Sequence, residues 1–332
     1  MNPGAGTDAG QPPAIRLPEP RSLFTHRARR LRELAALTSG LSGYLSLLAT
    51  LAERQAALSA ERDADLMRHD GTGGAVARER GAGPDGASTE ASGEPSASPR
   101  PLADGQARQD FPPWQPPLSL QDEVWALSLP PLLQRLAAAL PPVTPDVGET
   151  SRRLIGATPD AVGRWLAGLV SGECRSGDAA VLPFVATGLQ VLLAQRASRL
   201  APVAAGRPAA SPVCPVCGGW PVASVLRAWG EASGLRYLHC GLCASEWLFP
   251  RIQCAHCGSQ KAMAFVEIEG GGGVVKAATC GDCRAYLKQV DRSRLPGADA
   301  IADDLATLAL DVLLAEQGFA RSGFNPCLFP GE

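Results

Sequence analysis

The chain has 332 residues, of which 45% are hydrophobic, so it is long enough for more than one domain and apolar enough for a buried core. A formal net charge of −2 excludes the bulk basicity that favours binding to nucleic acid or to an anionic membrane surface. Ten cysteines are too few for a disulfide-rich scaffold.

Residues 1–20 carry no secretory signal. They lack the apolar stretch of a signal peptide, and we predict that they are disordered. The apolar run at residues 181–194 is shorter than the roughly 20 residues that a bilayer requires. We therefore expect a cytoplasmic protein without membrane insertion, in which clustered thiols bind metal or exchange electrons in preference to forming disulfides.

Residues 21–205 have the pattern of an all-α domain. Leucines at 3- and 4-residue steps over residues 23–58 predict two helices or one kinked helix, because Gly40 and Gly43 interrupt the pattern. Further helices are predicted at 118–127, 131–140, 160–170 and 184–200, the third of which has Thr158 as its N-cap. The first helix also contains arginines that we interpret as a solvated face, namely Arg27, Arg29, Arg30 and Arg32.

One segment within this domain has the composition of a linker. Between residues 71 and 101, 15 of 31 residues are Gly, Pro or Ser, and none is aromatic. Such a sequence buries too little apolar surface to offset the backbone entropy lost on folding. We therefore predict a disordered insert over residues 69–117 that acts as a tether.

The C-terminal half contains four Cys-x-x-Cys pairs in two tandem repeats. Each cysteine of the first two pairs recurs 40 residues later without slippage, which indicates a duplicated unit. We assign the two units to residues 206–250 and 251–294. Their eight cysteines, all predicted metal ligands, are Cys214, Cys217, Cys240, Cys243, Cys254, Cys257, Cys280 and Cys283.

Each unit is predicted to be a β-hairpin that folds around one metal ion. Two cysteines separated by two residues present both sulfurs from one tight turn, and the hairpin brings the second pair back to complete a tetrahedral four-sulfur site. Gly218 and Gly258 follow the leading pairs and relieve the backbone there. So small a module needs the metal for its folding energy, and pairing within each unit keeps each site self-contained. The predicted strands cover residues 222–227 and 235–239, and residues 262–268 and 274–279.

Other interpretations of the cysteines fit less well. A thioredoxin-type dithiol requires one pair at a strand–helix junction, and hairpin-separated pairs favour a mononuclear site over an iron–sulfur cluster. Because each site already has four sulfurs, His239 and His256 are not needed as ligands, and Cys174 and Cys327 are interpreted as buried thiols. The spacing leaves iron and zinc open: iron would transfer an electron, whereas zinc without an open coordination position would be structural.

Metal ribbons often bind nucleic acid, but the charge of these units argues against it. Residues 213–294 contain nine Lys and Arg against six Asp and Glu, and two divalent ions held by eight thiolates bring the net charge to about −1. Phosphate binding requires a basic footprint, which this balance does not provide.

Residues 295–332 are predicted to form a C-terminal helix and tail. Asp303 and Asp304 are interpreted as surface acids that complement the dipole of a helix over residues 299–317. The sequence contains no recognisable catalytic triad, phosphate-binding loop or zinc-protease motif, so we expect a protein that is not an enzyme. The apolar stripe of the helix consists of Ile301, Leu305, Leu308 and Val312.

Several sequence blocks resemble those of the formate dehydrogenase accessory protein FdhE family. In family order they are CPVCGGWP at 214–221, CGLCASEW at 240–247, CAHCGS at 254–259, CGDCRAYLK at 280–288, ADDLATLALD at 302–311 and RSGFNP at 321–326. The resemblance is dense over about 120 C-terminal residues and looser over RARRLRELA at 27–35. The segment at 71–101 departs from the family pattern in length and composition.

The resemblance implies an α+β fold with an all-α N-terminal domain, two tandem rubredoxin-like or zinc-ribbon hairpin modules and a C-terminal helix. It also implies a cytoplasmic, non-enzymatic assembly factor that binds iron, or alternatively zinc, through the eight repeat cysteines. Its partner would be the catalytic subunit of respiratory formate dehydrogenase before twin-arginine export. A rubredoxin-like electron-transfer protein and a zinc-ribbon nucleic-acid-binding protein stay open as alternatives, and the chain is compatible with a homo-oligomer.

Overall fold

The structure is a computed structural model that describes most of the chain. The described residues are 12–69, 116–138, 140, 145–171, 175, 177–200, 211–229 and 232–328. The linker predicted at 71–101 and the thiol of Cys174 lie outside them. A helical N-terminal region precedes a strand-rich C-terminal region, which confirms the predicted α+β fold class.

The N-terminal region consists of helices packed around the last one, α7. The helices are α1 (Pro20–Leu37), α2 (Ser42–His69), α3 (Val124–Ser128), α4 (Pro130–Ala138), α5 (Pro145–Ile155), α6 (Pro159–Ser171) and α7 (Leu182–Ala197). A 3₁₀ turn at Ser39–Leu41 separates α1 from α2, so the two-helix alternative is the one adopted. Helix α7 is buried on nearly every side, as expected for an apolar helix with little amphipathic character.

The C-terminal region forms one sheet to which both cysteine units contribute. Its strands are β1 (Ile15–Arg16), β2 (Pro221–Trp229), β3 (Ala232–Cys240), β4 (Glu246–Leu248), β5 (Met263–Val266), β6 (Val275–Cys280), β7 (Ala285–Asp291) and β8 (Ala320–Arg321). Strands β2–β3 and β5–β6 are the two predicted antiparallel hairpins. In each unit a third antiparallel strand, β4 or β7, follows the second cysteine pair.

The two units join through parallel pairing of β2 with β7, in which Val225 lies opposite Val290. The strand order is β1-β4-β3-β2-β7-β6-β5, with β8 beside β7. Strand β1 shows that the prediction of disorder over residues 1–20 is wrong for residues 15 and 16. These residues pair with β4 and cover an edge of the sheet, and the Tyr237 hydroxyl donates to the Pro13 carbonyl at 3.0 Å.

Two details of the helical prediction need correction. The helix predicted at 118–127 begins only at Val124, because the Asp122 carboxylate accepts from the Val124 backbone N–H at 3.0 Å and opens the helix there. Helix α5, which starts with Pro145, was not predicted. The N-cap assigned to Thr158 is confirmed: its hydroxyl accepts from the Ala161 backbone N–H at 3.3 Å.

The C-terminal helix is divided into α8 (Ala300–Ala306) and α9 (Leu308–Glu316). At the break, the ammonium of Lys288 of β7 donates to the carbonyls of Asp304 at 2.8 Å and Thr307 at 2.9 Å. A side chain that enters the backbone bonds of a helix in this way accompanies a kink. Val312 of the predicted apolar stripe is 58% exposed, so the stripe does not pack over its whole length.

The acids and arginines assigned to solvated faces are largely buried. Asp303 and Asp304 are 3% and 0% exposed, so their assignment as surface acids is wrong. Arg30 donates to Asp303 at 2.6 Å, and Arg27 donates to Asp299 at 3.2 Å. Helix α1 therefore packs on α8 through ion pairs, and the solvated-face interpretation holds only for Arg29 and Arg32, whose side chains are 64% and 48% exposed.

Candidate metal centres

The structure brings the eight repeat cysteines into two groups of four that are positioned for metal binding. The first group contains the cysteines of residues 214–243 and the second those of residues 254–283. Within each group all sulfur atoms lie within 4.8 Å of one another. Pairing within each 40-residue unit is therefore the arrangement that the fold adopts.

Each Cys-x-x-Cys turn places a left-handed residue directly after its second cysteine. Gly218 and Gly258 have φ of +78°, as their position in the sequence suggested. At the equivalent places after the second pairs, Ala244 and Arg284 have φ of 59° and 58° without being glycine. This conformation turns the chain so that the N–H after the turn reaches back, as in the bond from Gly218 N–H to the Cys214 carbonyl at 2.9 Å.

The sulfur separations fit a tetrahedral tetrathiolate ion. In the first group Cys214 lies 3.5 Å from Cys243, and in the second group Cys254 lies 3.7 Å from Cys283, measured between Sγ atoms. Metal–sulfur bonds of about 2.3 Å in a tetrahedron place sulfurs about 3.8 Å apart. Four soft donors in this geometry suit Zn²⁺ or iron, and they leave no position open for a water ligand.

The first group lies in the core, where burial and the neighbouring thiols shift the pKa values of its cysteines in opposite directions. Burial raises the pKa of the Cys214 thiol well above its ordinary value. At Cys240 burial acts in the same direction, but hydrogen bonds from the neighbouring thiols outweigh it and hold the pKa of Cys240 well below its usual range. One thiolate is thus stabilised by its neighbours, and four thiolates at this depth require a bound cation.

The second group lies nearer the surface. Cys254 and Cys280 are buried, whereas Cys283 is partly exposed and Cys257 is exposed.

Backbone N–H groups approach one sulfur of each leading pair: Val216 N lies 3.4 Å from Cys214 Sγ, and His256 N lies at the same distance from Cys254 Sγ. Such bonds stabilise the thiolate form of a ligand.

His239 and His256 were not predicted to be metal ligands, and neither belongs to a four-cysteine group. His239 Nδ1 lies 3.1 Å from Glu246 Oε1, beside the Arg227 guanidinium. Burial raises the pKa of Glu246, but the bonds from His239 and Arg227 outweigh it and lower that pKa below its ordinary value. Cys327 is a buried thiol outside both groups, as predicted, and burial raises its pKa to about 11.

Contacts that were not predicted join the first group to residues of the N-terminal region. Gln190 of α7 donates a hydrogen bond of 2.7 Å to the carbonyl of Gly241, inside the second cysteine turn. The Leu118 N–H donates to the Val216 carbonyl at 3.0 Å, inside the first turn. A polar residue in an apolar helix, as Gln190 is in α7, was the only hint available.

Family comparisons cover this whole architecture. The FdhE N-terminal model matches residues 12–209, the FdhE central-domain model residues 213–251, and the FdhE C-terminal-domain model residues 252–328. The chain belongs to the FdhE family. The resemblance noted in the sequence blocks is thereby confirmed, and the central and C-terminal FdhE models each contain one four-cysteine group.

Individual FdhE relatives support the assignment over the full length. The chain is 34% identical to an FdhE homologue of Pseudomonas aeruginosa, over 97% of this chain and 95% of that protein. An FdhE homologue of Edwardsiella ictaluri is 52% identical over 120 residues, which are 36% of this chain and 39% of that protein. The crystal structure of the FdhE protein from Pseudomonas aeruginosa superposes with a TM-score of 0.73 at 32% identity, covering 96% of this chain and 100% of that one.

Membrane insertion was not expected from the sequence. Among the residues that the structure describes, no helix combines the length and the apolar character needed to cross a bilayer.

Proposed function

We propose that this protein is a cytoplasmic assembly factor for respiratory formate dehydrogenase that binds the catalytic subunit before export and is not itself an enzyme. The observation that supports this most is the match of all three FdhE models in chain order, together with the two four-cysteine groups. The partner and the compartment come from the family resemblance. The site chemistry agrees, since saturated tetrathiolate ions hold shape or move electrons and leave no position for hydrolysis.

We further propose that both groups hold iron, with zinc as the alternative. The eight residues that would bind it are the repeat cysteines, four in each unit. An iron ion in such a site would supply one-electron chemistry, which zinc does not have. Metal analysis and an absorption spectrum of protein purified from its own host decide between them: two equivalents of iron and a visible band that bleaches on reduction are expected. A colourless protein with two equivalents of zinc would contradict the iron assignment.

A rubredoxin-like electron-transfer role is the second candidate, and the exposure of Cys257 is the observation that favours it. An electron acceptor can come close to the second group through the exposed Cys257, whereas the first group is buried in the core. Reversible bleaching without any capture of formate dehydrogenase would favour this role over assembly.

The structure gives the nucleic-acid alternative no support. Three basic side chains of the strands are engaged inside the protein: Lys288 is 1% exposed and pairs with Asp311. Arg236 is 2% exposed and donates to the Gln253 carbonyl at 2.7 Å. Arg227 pairs with Glu246 at 2.7 Å. These cations are engaged within the protein and do not form a phosphate-binding surface.

Affinity capture tests the assembly role. The tagged full-length protein is expressed in its host under anaerobic conditions and recovered with its partners, which are identified by mass spectrometry. We expect the formate dehydrogenase catalytic subunit above the level found with an unrelated tagged protein from the same host. Recovery of equal amounts with both baits would count against the proposal.

A further inference from the structure

The two metal units have the same sequence spacing but unequal access to solvent. The sulfur ligands of the first unit are between 0% and 1% exposed. In the second unit Cys257 is exposed and Cys283 partly exposed. Because the units are related by a shift of 40 residues, each residue around the first group has one counterpart around the second, and the origin of the difference can be found position by position.

Apolar side chains inside the cysteine turns cover the first group. Val216 is 2% exposed and Leu242 is 4% exposed. A Cβ added to Gly219 would lie 3.4 Å from both the Cys217 sulfur and a methyl of Leu242, so this backbone packs directly on the site. Apolar groups in van der Waals contact with the site therefore cover that side of the first group.

Segments from outside the unit close the remaining sides. Gln190 of α7 bonds to the Gly241 carbonyl, and the Leu118 N–H bonds to the Val216 carbonyl. The C-terminal segment lies against the same turn, since a Cβ at Gly241 would be 3.0 Å from the Phe324 carbonyl. Reaching the first group therefore requires the helical region or the C-terminal segment to move away.

The counterparts in the second unit are polar and open. His256 replaces Val216 and is only half-buried, Asp282 replaces Leu242 and is exposed, and Ser259 replaces Gly219. The Ser259 hydroxyl bonds to the Asp282 carboxylate at the surface. Gly281, the counterpart of Gly241, is exposed and receives no contact from the helical region among the described hydrogen bonds.

We infer that the second group is an exchangeable metal site, which loads and loses a divalent cation in the folded protein, whereas the ion of the first group is fixed until the fold opens. This inference rests on the proposal that both groups hold an ion. Exchange transfers the cation from four thiolates to an incoming ligand without any change of oxidation state. At the second group the ligand can contact the ion from the Cys257 side, but at the first group it must wait for local unfolding.

Metal release to a chromophoric chelator tests the inference. Full-length protein loaded with Zn²⁺ is mixed with excess 4-(2-pyridylazo)resorcinol, and release is followed by absorbance. We expect two phases of one equivalent each, with rates that differ by at least about tenfold. Two equivalents leaving at one rate would overturn the inequality of the sites. A starting content below two equivalents would instead overturn the proposed pair of sites, and the inequality with it.

Matched variants assign the phases. The changes Cys257→Ser and Cys217→Ser occupy equivalent positions, and the first should remove the fast phase and the second the slow phase. The double variant His256→Val, Asp282→Leu installs the covering residues of the first unit and should slow the fast phase several-fold. An unchanged fast rate in that variant would show that these residues do not control access.

Thiol mapping provides a readout that does not depend on ligand variants. After the fast phase, a pulse of iodoacetamide followed by mass spectrometry should label Cys254, Cys257, Cys280 and Cys283 and spare the cysteines of the first group. Equal labelling of both groups would contradict the assignment.

Discussion

The side-chain amide of Gln190 donates a hydrogen bond of 2.7 Å to the backbone carbonyl of Gly241 and thereby joins the central helix α7 to the second cysteine turn of the first group. The same side chain accepts a bond of 2.8 Å from Gln55 of α2. The chain of bonds crosses three elements inside one continuous core, and Gln55 and Gln190 are 3% and 2% exposed. Buried polar groups that are fully paired fix the relative position of the elements that they join.

Replacing Gln190 should therefore weaken the junction. The change Gln190→Leu keeps the volume but leaves the Gly241 carbonyl without this donor, and we expect the free energy of unfolding to fall by about 1–3 kcal/mol. Chemical denaturation of the metal-loaded protein measures it. The exposed Gln260 provides the control, since Gln260→Leu should change stability by less than about 0.5 kcal/mol. Equal effects of the two changes would show that the bond adds nothing to the junction.

The ion pairs between α1 and α8 give a second stability prediction. Arg30 and Asp303 have side chains 11% and 4% exposed, and Asp303 also accepts from the Asp299 N–H at 2.7 Å. Removing one partner of a buried pair leaves an uncompensated charge, so Arg30→Ala should lower the free energy of unfolding by about 3 kcal/mol. Arg29, with a side chain 64% exposed, is the matched control, and Arg29→Ala should cost less than about 1 kcal/mol. A small loss for Arg30→Ala would mean that this pair is dispensable.

Acid should remove the contribution of Asp304. Burial raises the pKa of this carboxyl, but Arg321, Lys288 and the bond from Asn325 outweigh it and hold the pKa below its ordinary value. A depressed pKa adds stability that is complete above the unfolded value of about 3.9 and is lost as the pH falls toward the folded value. The stability difference between wild type and Asp304→Asn should be constant from about pH 7 to pH 5 and shrink below about pH 4. A difference that persists unchanged at pH 3 would contradict this.

Metal stoichiometry tests the grouping of the ligands. Cys214→Ser should lower the bound metal from two equivalents to about one, because only the first group loses a thiolate. Cys327→Ser changes a buried thiol outside both groups and should leave two equivalents. Elemental analysis of the two purified variants gives the answer. Loss of both ions from Cys214→Ser would mean that the two groups do not bind independently.

The ligand grouping was predictable because it depends on short spacings. Two cysteines in one turn and a hairpin between turns bring four sulfurs together whatever surrounds them. The difference between the two groups was not predictable, because it depends on α7 and the segment at Phe324, which contact the second cysteine turn of the first group. The equal spacing of the cysteines in the two units therefore does not predict equal solvent exposure of the two groups.

The ion pairs between α1 and α8 were likewise not predictable from the sequence. Asp303 lies in the first turn of a helix, where surface acids are common, and the sequence pattern gives no sign of a partner 273 residues away. The break between α8 and α9 is similar, since Lys288 of the distant strand β7 bonds to carbonyls there. Contacts between distant segments decided both of these cases, whereas the late start of α3 depends on a local bond between Asp122 and Val124.

Formate dehydrogenase maturation itself is the most direct test of the proposed function. The gene is deleted in the native host, and formate-dependent dye reduction by the membrane fraction is measured beside the amount of catalytic polypeptide. We expect the activity to be lost while the polypeptide is still made, and to return when the wild-type gene is restored. Full activity in the deletion strain would contradict the proposal.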